Sequence, residues 1–356
     1  MWHGARIEAF EVVPFSLRFR EPYVTARGRL EERRSALLRL RAGGVEGLGE
    51  ATPLSLRGGP PLELIVEELD AVWRPHLIGE HLSGDPQDHV QGIAEFSPQA
   101  RVAVKTALLD LIGRLSGVPV WQLLGATGAA PVQCNATLAA GPPEAVAAHA
   151  LEWAARGFAT FKLKAGTEGD VEQVAAVREA VGPQAQIRVD ANASWDVETA
   201  AARLSAMAPL ELVEQPVETL AEMAALRERT DVPLAADESV ATPAEAEAAA
   251  GVCAAATVKL AKVGGAHAAI EIAQRIPVYL SSALESAVGI AFAGHVAQAI
   301  PDAGYAHGLA TSLLFEDTIA VREPTVENGY LRLPEGPGLG IEIDEDALAS
   351  RRVTLE

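Results

Sequence analysis

The sequence predicts an α/β protein in which a modified (β/α)7β barrel of the TIM type follows an N-terminal α+β domain. From about residue 132 onward, short apolar runs alternate with Ala- and Glu-rich segments of helical spacing. Charged residues end several of these runs, and the successive steps after Lys164 are 26, 24, 23 and 22 residues. One strand plus one helix of a barrel has about this length. Residues 6–51 instead read as strands and precede two helices, which is typical of an α+β domain.

The length and composition leave room for both units. The chain has 356 residues, of which 49% are hydrophobic and 22% charged, so it can bury a large core. A barrel alone needs about 250 residues. Gly- and Pro-bearing segments at 117–119 and 125–128 mark the predicted boundary. We therefore expect an N-terminal domain at residues 1–125 and the barrel at residues 126–319.

Charge and cysteine content restrict the partners and the compartment. The formal net charge of −19 argues against nucleic acid and anionic membranes as partners. Two cysteines, Cys134 and Cys253, indicate a reduced compartment without a disulfide framework. The start at Met1 does not resemble a signal peptide, and the apolar runs fall short of the roughly 18 residues of a membrane span. We expect a cytoplasmic protein whose oligomeric state, a homo-oligomer included, stays open.

In the N-terminal domain, the alternating pattern predicts strands and the three- and four-residue steps predict helices. The predicted strands are 7–13, 35–40 and 47–51, with a hairpin turn at Gly43-Gly44. The predicted helices are 61–73 and 98–115. Residues 18–29 form a polar, Gly- and Pro-bearing stretch that reads as a loop.

In the barrel, strands and helices are expected to alternate. The predicted strands are 132–139, 160–164, 186–190, three that end at Glu214, Ala236 and Lys259, 278–282 and a weak eighth at 305–309. The predicted helices are 143–156, 172–181, 197–207, 218–229, 243–250 and 288–300.

Charged residues at the ends of these strands are expected to meet in one pocket, because the C-terminal ends of parallel barrel strands surround a single opening. They are three lysines and three carboxylates: Lys162, Lys164, Lys259, Asp190, Glu214 and Asp237. Carboxylate oxygens suit a hard divalent cation, Mg²⁺ or alternatively Mn²⁺. Without a cation, we expect mutual repulsion to raise the pKa of the carboxyl groups.

The lysines of this pocket can act as bases only if their pKa is lowered, which neighbouring positive charge promotes. The arrangement suits removal of a proton next to a carboxylate. Each motif also has a simpler interpretation when it is taken alone. Lys162 and Lys164 could face solvent from an edge strand, and Asp190 and Asp237 could cap helices. Their common period favours one shared site.

These residues resemble the pattern of the enolase superfamily, and within it the muconate-lactonizing-enzyme subgroup. The match consists of Lys-x-Lys at 162–164, the Asp/Glu/Asp series and Lys259 in Lys-x-x-Lys-x-Gly-Gly. The resemblance implies that the N-terminal domain caps the barrel mouth and closes over the substrate. It also implies that the C-terminal tail, about residues 320–356, completes this capping domain.

The resemblance further implies a role for each polar residue of the pocket. Lys164 is expected to remove the proton α to a carboxylate while a metal-stabilised enediolate forms. Lys259 is expected on the opposite wall, charged, over the developing ring. Lys162 would orient the carboxylate and lower the pKa of Lys164. Asn192 is expected near the metal, and Glu238 is expected to bond to a lysine.

Substrate contacts are expected from three further segments. Ser281 and Ser282, with Gly308 in Gly-Leu-Ala-Thr, resemble the o-succinylbenzoate synthases, and the two serines supply hydroxyl groups. Arg29 lies where the family has its specificity loop, although a solvated loop is the simpler interpretation. The sequence leaves the role of Lys262 open. His307 is expected to be a pocket wall rather than a base.

The resemblance implies a small-molecule carboxylate substrate and a Mg²⁺-dependent dehydratase that forms o-succinylbenzoate. N-acylamino acid racemases share much of the pattern, so a racemase, epimerase or cycloisomerase is the alternative. Dipeptide epimerases carry Asp-x-Asp at the eighth strand, where this chain has the segment from Tyr305 to Thr311, which argues against a free amine on the substrate. A non-catalytic metal-binding barrel is an alternative from a different class.

Overall fold

The N-terminal domain is built on a sheet of three antiparallel strands in the order β1-β2-β3. The computed structural model describes residues 4–83, 86–90 and 97–355. Met1, where the sequence was expected not to form a signal peptide, lies outside the described residues. The strands are β1 (Ile7–Thr25), β2 (Gly28–Ala42) and β3 (Val45–Ala51). The predicted hairpin turn at Gly43-Gly44 joins β2 to β3, and both glycines have positive φ.

The first two strands are much longer than predicted, because residues 18–29 form the tip of a hairpin rather than an irregular loop. β1 runs to Thr25, and its pairing with β2 shifts register between Arg18 and Tyr23. The ring of Phe19 stacks on Tyr23 and on Phe315, with centroids 5.8 and 4.8 Å apart. Packing of aromatic rings against a distant part of the chain therefore orders a segment that looks like a loop in sequence.

Helices follow this sheet, and the first three of them pack against its strands. They are α1 (Leu62–Glu68), α2 (Arg74–Leu77), α3 (Pro98–Ser116) and α4 (Val120–Leu123), with a π-helical turn at Leu69–Trp73 and 3-10 turns at Ser55–Arg57 and Pro86–His89. The side chain of Ser97 caps α3 by accepting a hydrogen bond from the backbone of Ala100 at 3.2 Å. Glycine is required at position 49, because a Cβ there would lie 1.9 Å from the carbonyl oxygen of Ala103.

Seven parallel strands form the barrel in sequence order. After β4 (Val132–Gln133) they are β5 (Ala136–Leu138), β6 (Thr160–Lys164), β7 (Gln186–Asp190), β8 (Leu212–Glu214), β9 (Leu234–Ala236), β10 (Ala255–Val258) and β11 (Val278–Leu280). The helices are α5 (Pro143–Ala155), α6 (Asp170–Val181), α7 (Val197–Met207), α8 (Leu220–Arg227), α9 (Pro243–Ala250), α10 (Leu260–Val263), α11 (Ala266–Ala273) and α12 (Ala287–Ala297).

The predicted α/β fold is confirmed, with three local differences in the barrel. The predicted strand 132–139 is divided into β4, which belongs to a separate small sheet, and β5, which belongs to the barrel sheet. The helices α10 and α11 follow β10 and were not among the predicted elements. The position of the weak eighth strand is taken by two isolated bridges, from His307 to Cys134 and from Gly308 to Ser281. These bridges close the sheet between its first and seventh strands. Within the described ranges, no helix combines the length and apolar character needed to cross a bilayer.

The C-terminal segment returns to both units. It contains a 3-10 turn at Thr311–Leu314, then β12 (Ala320–Arg322), β13 (Thr325–Glu327), β14 (Tyr330–Arg332), β15 (Glu342–Ile343) and α13 (Glu345–Ser350). Strand β14 pairs with β4 beside the barrel. Farther along, Ser16 of β1 donates to the carbonyl oxygen of Arg351 at 3.0 Å, so the end of the chain lies against the capping domain.

Candidate active site

The strand register brings the predicted charged residues together at one end of the barrel. In the parallel pairing of β6, β7 and β8, Lys164 lies beside Asp190, and Asp190 lies beside Glu214. Asp237 follows β9 directly, and Lys259 follows β10. One oxygen from each of the three carboxylates lies within 4.8 Å of the others. All of these side chains are buried, so the barrel interior holds a dense cluster of opposite charges.

Lysines neutralise these carboxylates at short range. The Lys162 ammonium lies 2.6 Å from Oε2 of Glu214 and 3.0 Å from Oδ2 of Asp190. Lys164 lies 2.6 Å from the same Asp190 oxygen, and Lys259 forms an ion pair with Oδ2 of Asp237. Each carboxylate of the cluster therefore has at least one ammonium partner.

The expected rise in carboxyl pKa is wrong in direction for two of the three groups. Burial does favour the protonated form of Asp190, but Lys162 and Lys164 outweigh it and hold the pKa below its usual range. Burial also acts on Asp237, where Arg57 and Lys259 lower the pKa well below its ordinary value. Opposite charges at bonding distance dominate over repulsion between the carboxylates.

The pKa values of the three lysines are shifted in different directions. Burial lowers the pKa of Lys164, and the positive charge of Lys162 acts in the same direction, as predicted. Burial and the neighbouring Arg57 lower the pKa of Lys259 to about 8. Burial would also lower the pKa of Lys162, but Asp190 and Glu214 raise it above its ordinary value. Lys164 and Lys259 therefore release a proton more readily than Lys162 does.

The three carboxylates fit a divalent cation. Oε1 of Glu214 is buried and has no hydrogen-bond partner among the described residues. A buried carboxylate oxygen without a donor is costly unless something else binds it. Three converging carboxylates provide the oxygen ligands that Mg²⁺ prefers. Asp190, Glu214 and Asp237 are thus suited to hold such an ion.

A cavity opens over this cluster between the barrel and the capping domain. Its charged and hydroxyl-bearing walls come from both units and include Arg27, Arg33, Arg57, Lys162, Lys164 and Lys259. Ser281 and Ser282 also line it, whereas Gly308 lies behind them, where its backbone bridges to Ser281. The cavity is therefore positively charged on several sides, as a site for an anionic molecule needs to be.

Of the two arginines at the hairpin tip, the structure brings Arg27 rather than Arg29 to the cavity. Arg29 pairs with Glu31 at 2.8 Å, and its side chain is 59% exposed. Arg27 lines the cavity and donates from Nε to the carbonyl oxygen of Asn192 at 2.9 Å. The hairpin thus touches the barrel two residues earlier than predicted.

The residues around the cluster form a network with the capping domain. Oδ1 of Asn192 accepts a hydrogen bond from Lys164 at 3.2 Å, which places it beside the carboxylates as expected. Glu238 bonds to Arg57 and not, as predicted, to a lysine. Arg57 comes from the 3-10 turn at Ser55–Arg57 and also donates to Oδ2 of Asp237 at 2.7 Å. A capping-domain arginine therefore contacts the barrel carboxylates directly.

The structure also gives contacts for Lys262, whose role was left open, and for His307, which was expected to be a pocket wall. Lys262 lies 3.0 Å from Oδ1 of Asp237, and burial lowers its pKa to about 8. Nδ1 of His307 accepts a hydrogen bond from the backbone of Leu280 at 3.0 Å. Burial lowers the pKa of His307 to about 4, so its ring is neutral. Among the described residues, His307 does not line the cavity as expected; it connects the two strands at which the barrel closes.

Comparison with known protein families agrees with this arrangement. Residues 7–125 match the description "Mandelate racemase / muconate lactonizing enzyme, N-terminal domain". Residues 145–347 match "Enolase C-terminal domain-like". The chain belongs to the enolase superfamily. Within this superfamily it is placed in the muconate-lactonizing-enzyme subgroup, as the sequence pattern predicts.

Two curated relatives of this enolase-superfamily protein differ in reaction. The chain is 30% identical over 371 residues to muconate cycloisomerase 1 of Pseudomonas putida, covering 97% of each protein. It is 45% identical over 214 residues to o-succinylbenzoate synthase of Mycobacterium tuberculosis, covering 56% of this chain and 63% of that protein. The higher identity thus extends over a shorter part of the chain.

Solved structures of the superfamily superpose over nearly the whole chain. Muconate lactonizing enzyme from Pseudomonas fluorescens, complexed with muconolactone, has a TM-score of 0.93 at 28% identity and covers 99% of this chain and all of that one. N-succinyl Arg/Lys racemase from Bacillus cereus has a TM-score of 0.91 at 28% identity and covers 98% of each chain. Proteins of different named activities therefore share this fold.

Several residues of this superfamily site were not predicted from the sequence. Arg57 stands in a short Gly- and Pro-rich turn, and Arg27 stands in the apparent loop, so neither carries a periodic signal. Tyr279 lies within an apolar strand and resembles a core residue in sequence, yet its hydroxyl donates to Glu214 at 2.9 Å. A polar atom on a strand that faces the barrel interior is the one signal that could have drawn attention to it.

Proposed function

We propose that the protein is a Mg²⁺-dependent dehydratase that forms o-succinylbenzoate from 2-succinyl-6-hydroxy-2,4-cyclohexadiene-1-carboxylate, a step of menaquinone biosynthesis. The observation that carries the proposal is that Lys164 and Lys259 line one cavity beside three convergent carboxylates. The likeness to a mycobacterial o-succinylbenzoate synthase supports this choice of substrate. The enzyme would then be a carbon–oxygen lyase.

Lys164 removes the proton from the ring carbon that bears the carboxylate. Its pKa is lowered by burial, so the neutral amine is more accessible than in water. Asp190 and Asn192 fix the position of its nitrogen, at 2.6 and 3.2 Å. A base that is held in place in this way needs little reorganisation before it accepts a proton.

The same lysine also supplies the proton that the leaving hydroxyl group needs. The electron pair of the broken C–H bond forms the new ring double bond, and the C–O bond to the 6-hydroxyl group breaks. The ammonium of Lys164 returns the proton to the departing hydroxide, which leaves as water. Because proton and hydroxyl leave from one face, one lysine serves both steps, and formation of the aromatic ring drives the reaction.

The other two lysines remain charged. Lys162 has a raised pKa and stands between Asp190 and Glu214, so it stays an ammonium that can orient the substrate carboxylate. Lys259 approaches from a different strand and forms its ion pair with Asp237. A cation beside the developing ring stabilises it through a cation–π contact.

Mg²⁺ would be held by Asp190, Glu214 and Asp237. When bound, the ion supplies positive charge beside the substrate carboxylate, which favours loss of the adjacent proton. Ser281 and Ser282 present hydroxyl groups to the cavity, and Arg27 adds positive charge at its rim. These groups would bind the polar substituents of the substrate.

The test follows ring aromatisation by ultraviolet absorbance with purified protein, Mg²⁺ and the cyclohexadiene carboxylate. We expect turnover in the wild type, none after removal of divalent cations with a chelator, and recovery on addition of Mg²⁺. Lys164→Ala is expected to abolish turnover. Lys259→Ala is expected to reduce turnover strongly. Full activity of this variant would contradict a site in which lysines on both sides of the substrate contribute.

N-acylamino acid racemisation is the second candidate, in the same class as the subgroup's epimerases and cycloisomerases. It is favoured by the lowered pKa of both Lys164 and Lys259, because a racemase needs a base on each face of the α-carbon. The superposition with the N-succinyl Arg/Lys racemase supports it as well.

The two candidates differ in proton exchange. A racemase incorporates deuterium from D₂O at the α-carbon of an N-acylamino acid, and each of the two lysine variants blocks exchange of one enantiomer. A protein that acts only as a dehydratase leaves the α-hydrogen of N-acylamino acids unexchanged. The measurement therefore distinguishes the candidates even if the cyclohexadiene substrate is turned over.

A further inference from the structure

Tyr279 makes a contact that the proposed reaction does not use. The residue lies in the centre of β11, is completely buried and faces the barrel interior. Its hydroxyl donates a hydrogen bond to Oε2 of Glu214 at 2.9 Å. A buried tyrosine hydroxyl normally finds a partner, but here the partner is one of the three convergent carboxylates.

The ring of Tyr279 packs against a buried arginine. The guanidinium of Arg188 lies 4.7 Å from the ring centroid and 5.5 Å from that of Tyr305. Arg188 is itself fully buried, pairs with Glu211 and donates to the carbonyl oxygen of Ala306 at 2.6 Å. Because this arginine is bonded on two sides, it restrains the Tyr279 ring, and the ring keeps the hydroxyl beside Glu214.

The two oxygens of Glu214 are treated differently. Oε2 accepts hydrogen bonds from Lys162 at 2.6 Å and from Tyr279 at 2.9 Å. Oε1 is buried without a hydrogen-bond partner among the residues that the structure describes. The Lys259 ammonium is 3.9 Å from Oε1, beyond hydrogen-bond distance. One oxygen is thus occupied by donors and the other is left for a cation.

We propose that Tyr279 is a positioning residue that holds Glu214 by Oε2 so that Oε1 alone binds the divalent cation. The inference rests on the metal site of the proposed function. A hydrogen bond to the second oxygen fixes the carboxylate plane and prevents Glu214 from binding through both oxygens. Groups that orient a metal ligand in this way contribute about 10- to 100-fold to metal affinity in other proteins.

The test compares Tyr279→Phe with Tyr305→Phe. The first substitution removes only the hydroxyl that reaches Glu214 and keeps the ring that stacks on Arg188. The second removes a hydroxyl from the other ring stacked on Arg188 and is the matched control. Metal-free protein is titrated with MgCl₂ by isothermal calorimetry without substrate. We expect the Kd to rise roughly tenfold or more in Tyr279→Phe and to stay unchanged in Tyr305→Phe.

A Kd in Tyr279→Phe equal to that of the wild type would overturn the inference while leaving the proposed reaction intact. A wild-type protein that binds no Mg²⁺ would overturn the inference and the proposed metal site together. Circular dichroism of the metal-free variants establishes that they fold. If Tyr279→Phe does not fold, tyrosine difference absorbance on addition of MgCl₂ to a Tyr23→Phe, Tyr305→Phe double variant replaces the titration, because Tyr23 also lines the cavity. A perturbed tyrosine band supports the contact, and an unchanged spectrum overturns it.

A second readout separates positioning from a general loss of packing. In the positioning role, Tyr279→Phe requires more Mg²⁺ for half-maximal turnover but approaches the wild-type kcat once the ion is saturating. A variant whose kcat stays low at saturating MgCl₂ while its metal Kd is unchanged would contradict the role assigned to Tyr279.

Discussion

Glu50 of the capping domain holds the start of a barrel helix through Ser286. The carboxylate accepts hydrogen bonds from the backbone nitrogen of Ser286 at 2.9 Å and from its hydroxyl at 2.7 Å. The backbone nitrogen of Gly289 donates to the same carboxylate at 2.9 Å. A negative charge at a helix N-terminus is favourable, and here it comes from another domain. The loop that carries Ser281 and Ser282 leads directly into this helix.

Replacement of Glu50 by alanine is expected to destabilise the protein strongly. The substitution leaves the nitrogen atoms of buried Ser286 and half-buried Gly289 without their acceptor, which costs about 3 kcal/mol. Glu46→Ala on the same strand is the control, because Glu46 is partly exposed, its partner Arg41 is exposed, and its buried partner Arg39 keeps an ion pair with Glu345. We expect a cost below about 1 kcal/mol there. Urea unfolding of both variants checks the difference, and equal costs would contradict it.

Stability is expected to depend on pH through Glu285. Burial and the nearby Glu50 raise the pKa of Glu285 to about 7. Between about pH 4.5 and 7 the folded state then holds a proton that the unfolded state has lost, so this contribution to stability falls as the pH rises. The decrease is at most about 3 kcal/mol.

The measurement for Glu285 is a comparison of variants across pH. The free energy of unfolding of the wild type minus that of Glu285→Gln is expected to fall between pH 4.5 and 7.5. Substitution of the exposed Glu247 by glutamine provides the control and is expected to give a constant difference. A wild-type advantage that grows with pH would contradict the assignment.

His295 is expected to act in the opposite direction. Its Nδ1 accepts a hydrogen bond from the backbone of Trp121 at 3.2 Å, and burial lowers its pKa to about 4. The unfolded chain therefore takes up the proton first as the pH falls, and stability is lost between about pH 6.5 and 4. The Tm of His295→Gln is expected to change less with pH in this range than the Tm of the wild type does. Parallel profiles would rule out this origin of acid sensitivity.

At the cavity rim, Arg27→Ala is expected to raise KM for the carboxylate substrate about tenfold while changing kcat little. The guanidinium lines the cavity and bonds to the barrel backbone at Asn192. Loss of one charge-assisted hydrogen bond of about 1.5 kcal/mol corresponds to that factor. Arg29→Ala is the matched control two residues away, with a solvent-exposed side chain, and should leave KM unchanged. The reverse result would restore Arg29 as the substrate contact.

Much of the barrel could be predicted from the sequence, because each strand and helix carries its own periodic signal. The predicted bounds of β6 and β7 agree with the structure, as do those of α7 and α9. In addition, Thr242 and Glu245 form a capping box that marks the start of α9. The strand ends place the lysines and carboxylates, so the centre of the site follows from the register alone.

Contacts between the two domains could not be predicted in this way. Arg57 reaches Asp237 across 180 residues of sequence, and Glu50 reaches Ser286 across 236. Such pairs depend on how the domains dock, which no local pattern encodes. The hairpin tip around Tyr23 is ordered by the same docking. The prediction of an eighth strand was wrong for a related reason, since in this segment only His307 and Gly308 bridge to their neighbours.

The return of the C-terminal segment to β1 affects the order in which the protein is completed. Arg39 of β2 pairs with Glu345, which lies 306 residues later, and Ser16 bonds to the carbonyl oxygen of Arg351. During synthesis the N-terminal domain emerges first, yet its last partners are made only after the whole barrel. Contacts between residues so far apart in sequence form slowly, because a large loop must close first. The capping domain therefore acquires these contacts only after the barrel has been synthesised.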